Sequence, residues 1–390
     1  MSRPGLFVTI VLDGVGIGWQ PDAAAYGDEG ANTLAHVLEA AAPQLPNLQA
    51  AGLGNIAPLP GMPADANPQA AWARMEEQSA GKDSTTGHWE LAGLRLEKPF
   101  PTYPDGFPEN LLDRFRRATG VPQVLGNEVA SGTDIIARLG AEHLETGSPI
   151  VYTSADSVFQ IAAHTDVVSL DQLYAWCALS REEVCIADHA VGRVIARPFT
   201  GTPGDFTRLS DQRKDYAMPP PEGTVQARLQ DLGVRTVSIG KVADLFAGAG
   251  FDETHKTGRN PIGIRTLLNR LNAWDGAPTF IWVNLIDFDQ EFGHRNNPAG
   301  FAAALEEFDA ALPHITQALP SGAGLFVTAD HGNDPTYPGT DHTREYVPVL
   351  LWGTRARAMG SRPSFNDHAA TVLDWFAHPE PGPGVSMLDD

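Results

Sequence analysis

The sequence predicts an α/β layer fold with a mainly parallel sheet and a smaller inserted α/β domain. Three observations predict it: apolar runs that stop at acidic or imidazole residues, helical patterns between those runs, and two proline-rich stretches that bracket the middle of the chain. LFVTIVLDG at 6–14 is a continuous apolar run ending in Asp-Gly, the pattern of a central strand covered on both faces. TFIWVNLIDFD at 279–289, GLFVTADHG at 324–332 and VPVLLWG at 347–353 repeat it, and PAGFAAALEEFDAALPHITQAL at 298–319 reads as a helix between two of them. Strands alternating with helices build an α/β sheet, and ligands gather beyond the carboxyl ends of its strands. Asp13, Asp289, Asp330 and His331 all stand at such ends.

KPFPTYPDGFP at 98–108 and KDYAMPPPEGT at 214–224 carry turn chemistry and read as two hinges. They divide the chain into a discontinuous core, 1–100 plus 218–390, and an inserted cap at 101–217. A chain of 390 residues exceeds what one core usually organises, which agrees with two domains.

With 42% hydrophobic residues, 17 Phe and 8 Trp, there is enough apolar material for two real cores, and general disorder is excluded. The formal net charge of -21 repels nucleic acid and anionic lipid, so neither is expected as a partner. Cys177 and Cys185 make no disulfide framework and read as buried thiols of a reducing compartment. No run reaches the roughly 20 apolar residues of a membrane span, and the apolar start carries no cleavage site, so a cytoplasmic protein is expected.

Three segments carry candidate chemistry. ADHGNDPTYPGTDHTREYVP at 329–348 holds Asp330, His331, Asp334, Asp341 and His342, a carboxylate and imidazole mixture that suits Mn²⁺ or Zn²⁺. DFDQEFGHR at 287–295 adds Asp289 and His294, with Asp287 read as a turn or capping residue. DGVGIG at 13–18 adds Asp13; it lacks full G-x-G-x-x-G spacing, so a dinucleotide cofactor is rejected. In GKDSTTGHWELAGL at 81–94, Ser84, Thr85 and Thr86 stand near a predicted helix N-terminus, where unpaired N–H groups favour phosphate. Asp13, Asp330 and His331 can hold one ion, and Asp289, His294 and His342 another. Two cations roughly 3.5–4 Å apart clamp the attacking and leaving oxygens of a phosphoryl displacement.

Taken together, DGVGIG, GKDSTTGHWE, SGTDIIARLG (131–140), IVYTSADSVFQIAAHTDVV (150–168), VGRVIARPF (191–199), DFDQEFGHR and DHGNDPTYPGTDHTREYVPV (330–349) resemble the phosphopentomutase family of the alkaline phosphatase superfamily. The matching stretches run almost from end to end. The resemblance implies an alkaline-phosphatase-like three-layer core and an isomerase that interconverts ribose 1-phosphate and ribose 5-phosphate, or the deoxyribose pair. It implies a phosphoenzyme and a sugar bisphosphate intermediate, two Mn²⁺ ions, and priming by ribose 1,5-bisphosphate or glucose 1,6-bisphosphate. Its phosphorylated Thr aligns with Ser84, with Thr85 the second choice, and the two ion sets stay as above. Asp156 matches a substrate residue, Arg193 and Arg208 resemble arginines that hold the distal phosphate, and Lys241 in SIGK is expected to assist. A monomer acting on small pentose phosphates follows from the same resemblance. A related metal-dependent phosphatase or a phosphoglycerate mutase-like enzyme would share the metal clusters.

Overall fold

A computed structural model describes residues 5–154 and 156–388. The chain divides into two compact units, Met1–Pro99 with Pro220–Asp390, and Phe100–Pro219.

In the first unit, eight strands of the described residues form one sheet. Its order is Glu253–His255, Arg235–Ile239, Thr279–Leu285, Leu6–Leu12, Gly324–Thr328, Val347–Trp352, Ala71–Met75 and Ala358–Arg362. The first five are mutually parallel, with Leu6 opposite Thr279 and Phe7 opposite Gly324. Every residue of Leu6–Leu12 and Thr279–Leu285 is buried, which is why these strands read as unbroken apolar runs. Leu12, Val327 and Leu350 line one face with Leu34, Leu48 and Leu305 from helices. On the other face Phe7 packs on Trp375, and Phe326 on His368, both from helix Asn366–Trp375. Two helical layers thus cover the sheet.

Val347–Trp352 looks like its neighbours in sequence but runs antiparallel to both Gly324–Thr328 and Ala71–Met75. Burial on both faces produces the same apolar pattern in either direction. The expected strands also end earlier than their apolar runs: Leu12, Leu285 and Thr328 are the last strand residues. Asp13, Asp289 and Asp330 therefore belong to the loops that follow.

The second unit carries a six-stranded sheet of described residues: Leu125–Val129, Ile150–Thr153, Val158–His164, Arg193–Thr202 and Asp205–Arg208, with Lys214–Ala217 also pairing Arg193–Thr202. One face buries Phe159, Ile161, Val194 and both free cysteines against helices. The other packs Tyr152, Ala162 and Phe199 on Ile135 and Ile136 of helix Gly132–Thr146. Among the described residues no helix is long and apolar enough to cross a membrane.

Candidate metal centre and nucleophile

Helix Ser84–Leu91 begins at Asp83, whose side chain accepts from the backbone N–H groups of Thr85 (3.0 Å) and Thr86 (3.2 Å). This corrects the expectation that those N–H groups await a phosphate, because the N-cap carboxylate already takes them. The helix ends at Leu91, with Ala92 as its C-cap. Gly87 permits its close approach to the sheet: a Cβ there would lie 2.0 Å from the Asp330 carbonyl oxygen. That approach brings the buried Ser84 hydroxyl to 3.1 Å from His331 Nε2 and 3.4 Å from Asp13 Oδ1. Thr86 Oγ1 is instead tied to Asp83 at 2.5 Å. Thr85 makes no side-chain hydrogen bond to this cluster among the described residues.

The ligand candidates arrive from three strand ends. His331 Nε2 lies 3.2 Å from Asp13 Oδ1, across the neighbouring strands that precede them. After Thr279–Leu285 the chain makes a wide turn at Phe288–Phe292 and a tight one at Gly293–Arg295. These turns set His294 Nε2 at 3.3 Å from Asp289 Oδ2, and His342 Nε2 lies 3.2 Å from Asp289 Oδ1. Asp289, His294 and His342 form one tight group, and Asp13, Asp289 and His331 another. Asp289 thus belongs to both, which the sequence-based sets did not contain. Asp330 stands beside the second group, its Oδ2 3.4 Å from His331 Nε2 and its Oδ1 accepting from Gly14 N at 3.1 Å.

Three features fit this arrangement to cations. His331 Nδ1 faces the Gly332 carbonyl at 3.0 Å and His294 Nδ1 the Thr340 carbonyl at 2.6 Å, so each Nδ1 donates and each Nε2 points inward, toward a proton or a metal. The inward Nε2 atoms of His294 and His342 are 3.1 Å apart, close enough for one cation to lie against both. Asp330 Oδ2 is buried without a hydrogen-bond partner.

The electrostatics agree. Burial pushes the Asp289 carboxyl up, but His342 and His294 outweigh it and hold it well below the usual carboxylate range. Asp13 is likewise lowered: burial and Asp289 push it up, and His331 and Lys241 overcome them. Burial opposes protonation of His294, yet its bond to Asp289 lifts it to about 9. His331 is raised well above its ordinary value, against burial, by Asp330 and Asp13. A cluster that draws this much protonation is one that seeks positive charge.

Other acidic residues of these motifs do structural work. Asp287 accepts from Asn260 N at 3.1 Å. Asp334 receives Asn32 N at 3.0 Å and Thr336 N at 2.9 Å. Asp341 pairs with Lys82 at 3.2 Å. Sequence reasoning missed Arg344, which is buried, donates to the carbonyls of Ser79 (2.9 Å) and Gly81 (2.6 Å), and pairs with Glu77 at 2.8 Å. It ties the His342 loop to the segment leading into Ser84. It also missed Asn333, whose amide donates to Asp289 Oδ1 at 2.6 Å, and Glu345, which accepts from Thr33 Oγ1 at 2.6 Å. Only their place inside the conspicuous DHGNDPTYPGTDHTREY stretch could have flagged them.

Lys241 follows strand Arg235–Ile239 and caps helix Val242–Leu245, close enough to Asp13 to depress its carboxyl. In the second unit, Arg193 lies 3.6 Å from both Asp156 and Asp215. Arg197 donates to Gln160 at 3.0 Å. Arg208 opposes Phe199 at the sheet edge and has no ion-pair partner among the described residues.

Residues 6–379 match the model of the metalloenzyme superfamily. A phosphopentomutase of Caldanaerobacter subterraneus subsp. tengcongensis is 50% identical over 372 residues, 95% of this chain and 93% of its own. One from Deinococcus radiodurans is 50% identical over 387 residues, 98% of each chain. A crystal structure of Leishmania mexicana phosphoglycerate mutase at low cobalt concentration covers 100% of this chain and 98% of its own with a TM-score of 0.52. At 14% identity that likeness speaks for the fold alone. The end-to-end match at half identity, on a structure that gathers Asp13, Asp289, His294, His331 and His342 around a serine, shows that the chain belongs to the phosphopentomutase family of the metalloenzyme superfamily.

Proposed function

We propose that this chain, an isomerase by its family, moves a phosphoryl group between O1 and O5 of a pentose and so interconverts ribose 1-phosphate with ribose 5-phosphate, and the deoxyribose pair likewise. The observation that carries the chemical reading is the Ser84 hydroxyl, 3.1 Å from His331 Nε2 and 3.4 Å from Asp13 Oδ1. Asp13, Asp330 and His331 hold one cation beside Ser84; Asp289, His294 and His342 hold the other, with Asp289 near enough to serve both. Two divalent cations, Mn²⁺ in this reading, supply charge that lowers the pKa of the serine hydroxyl and neutralises the phosphoryl oxygens.

Ser84 carries the phosphoryl group between turnovers, after priming by ribose 1,5-bisphosphate or glucose 1,6-bisphosphate. The Ser84 Oγ–P bond breaks as O1 of ribose 5-phosphate bonds to phosphorus, and the O1 proton leaves to solvent. The product, ribose 1,5-bisphosphate, turns end for end. Its 5-phosphoryl group then returns to Ser84 Oγ as the O5–P bond breaks, and O5 takes a proton from solvent, leaving ribose 1-phosphate. Positioning and electrostatics carry most of the rate.

The second unit acts as a cap, with Arg193 and Arg208 holding the phosphate that is not reacting and Asp156 holding the sugar. Arg208, with no carboxylate on it among the described residues, has its guanidinium fork available. Lys241 adds positive charge beside Asp13. The same reading takes the chain as a cytoplasmic monomer that acts on free pentose phosphates, and its charge of -21 and two buried, unpaired thiols support that. Phosphorus NMR of the Mn²⁺-loaded protein with ribose 1-phosphate and a catalytic amount of bisphosphate tests it. Ribose 5-phosphate should accumulate; free phosphate as the main product would make the chain a phosphatase.

A further inference from the structure

His88 and Asn284 are fully buried side chains between the helix that carries Ser84 and the loops that carry Asp13 and Asp330. His88 Nδ1 lies 2.9 Å from the Ser84 carbonyl oxygen and 2.9 Å from Asp330 Oδ2. The Ser84 carbonyl accepts, so Nδ1 carries the hydrogen and gives it there, while Asp330 Oδ2 lies in close contact without a hydrogen bond of its own. His88 Nε2 faces Asn284 Nδ2 at 3.1 Å, and that same nitrogen lies 2.9 Å from Asp13 Oδ2. An amide nitrogen has two hydrogens, one for each neighbour. The opposite amide orientation would set its oxygen against the Asp13 carboxylate. Acceptors at both ends, the Ser84 carbonyl and Asp13, therefore determine the protons on His88 and Asn284. The Trp282 ring stacks on His88 at 5.9 Å and 18°, which holds the imidazole plane.

We infer that His88 and Asn284 are positioning residues that aim the Asp330 and Asp13 carboxylates at the cation beside Ser84 and tie the first turn of the nucleophile helix to the same pair. The inference rests on the reading of Asp13 and Asp330 as cation ligands. The chemistry of the bridge is suited to that task. An arginine or lysine in this place would orient the carboxylates but cancel their charge. An amide that donates to Asp13, and an imidazole that donates to the Ser84 carbonyl while it packs on Asp330, hold them without adding charge and leave the charge for the metal.

The test is Mn²⁺ alone, titrated into the metal-free full-length protein and followed by calorimetry, with metal-free melting recorded for every variant. His88→Asn keeps an amide N–H near the place of Nδ1, so it still serves Ser84 and Asp330. His88→Gln reaches toward Asn284 instead and abandons Asp330. Asn284→Ser removes the donor from Asp13. The expected result is that His88→Gln and Asn284→Ser weaken one of two Mn²⁺ ions by roughly 10–100-fold, with His88→Asn retaining most of the affinity. Wild-type affinity in His88→Gln and Asn284→Ser overturns the bridge. Equal losses in His88→Asn and His88→Gln that track a lowered metal-free melting temperature also overturn it, because packing alone would do that. Asp330→Asn separates the underlying reading: if it too binds both ions as the wild type does, the ligand assignment fails, and the bridge with it.

Discussion

The carboxylate and imidazole cluster of the first unit and the arginine-bearing sheet of the second are built on opposite plans. Around Asp289 the polar side chains are buried, His294 only half so, and have partners before any ligand arrives: Asn333 on Asp289, Gly14 N on Asp330, carbonyls on His331 and His294. On the second sheet, Arg193 sits 3.6 Å from its two carboxylates and Arg208 has no ion pair among the described residues. Under the proposed function, the difference teaches that the two units divide the work by rigidity. A metal site needs its ligands held before binding, since each misplaced ligand costs affinity. A guanidinium that must take and release a phosphate is better left without a strong internal partner.

Changes in the first unit should therefore be all-or-none, and changes in the second graded. Ser84→Ala should lower mutase activity by at least about 1,000-fold and remove the phosphorylated peptide from the mass spectrum. Ser84→Thr should keep both; if it does not, the hydroxyl is not the shuttle. Next in size, Asp289→Ala should cost both ions together, because Asp289 belongs to both ligand groups. Elemental analysis that still finds one full equivalent of Mn²⁺ would show the groups to be independent. Arg208→Ala should raise KM for ribose 5-phosphate by roughly 10–100-fold while leaving Mn²⁺ content unchanged. A fall in metal content there would erase the division between the units.

A smaller effect tests the core of the first unit alone. Burial holds the His368 imidazole down at about 4, with Nδ1 donating to the Leu91 carbonyl at 2.7 Å and Nε2 accepting from Thr9 Oγ1 at 2.8 Å. Unfolded, the ring takes a proton near its ordinary 6.5. Its folded pKa is depressed, so its neutral form contributes full stability above 6.5, and that contribution is lost as pH falls from 6.5 to about 4. The loss amounts to roughly 3 kcal/mol, and denaturant titrations across that range should show it shrink in His368→Gln. The smallest effect is a null one in the second unit. Burial pushes the Cys185 thiol up to about 12 and Cys177 higher still, so neither should be alkylated at pH 8 in the native protein.

Much of the centre was legible in the sequence, for a local reason. An apolar run that stops at Asp13, or at Asp330 and His331, marks a strand end, and strand ends of one parallel sheet meet on one side. What stayed hidden was pairing at a distance. Asp289 belonging to both groups, Arg344 reaching Ser79 and Asn284 reaching Asp13 all join segments with no relation along the chain. The capping of Thr85 and Thr86 by Asp83 was available locally, since Asp before a helix is an N-cap signal, but the phosphate reading of the same N-terminus competed with it.

By itself the sequence determined the elements and their order, because periodic burial and turn chemistry act over a few residues. It determined the family too, since GKDSTTGHWE and DHGNDPTYPGTDHTREY leave little freedom. Tertiary structure alone decided the direction of Val347–Trp352, the distances among the ligands and the tautomers that aim them. Those depend on which strands become neighbours and how closely Gly87 lets a helix approach Asp330, and such contacts exist only once the sheet has closed around them.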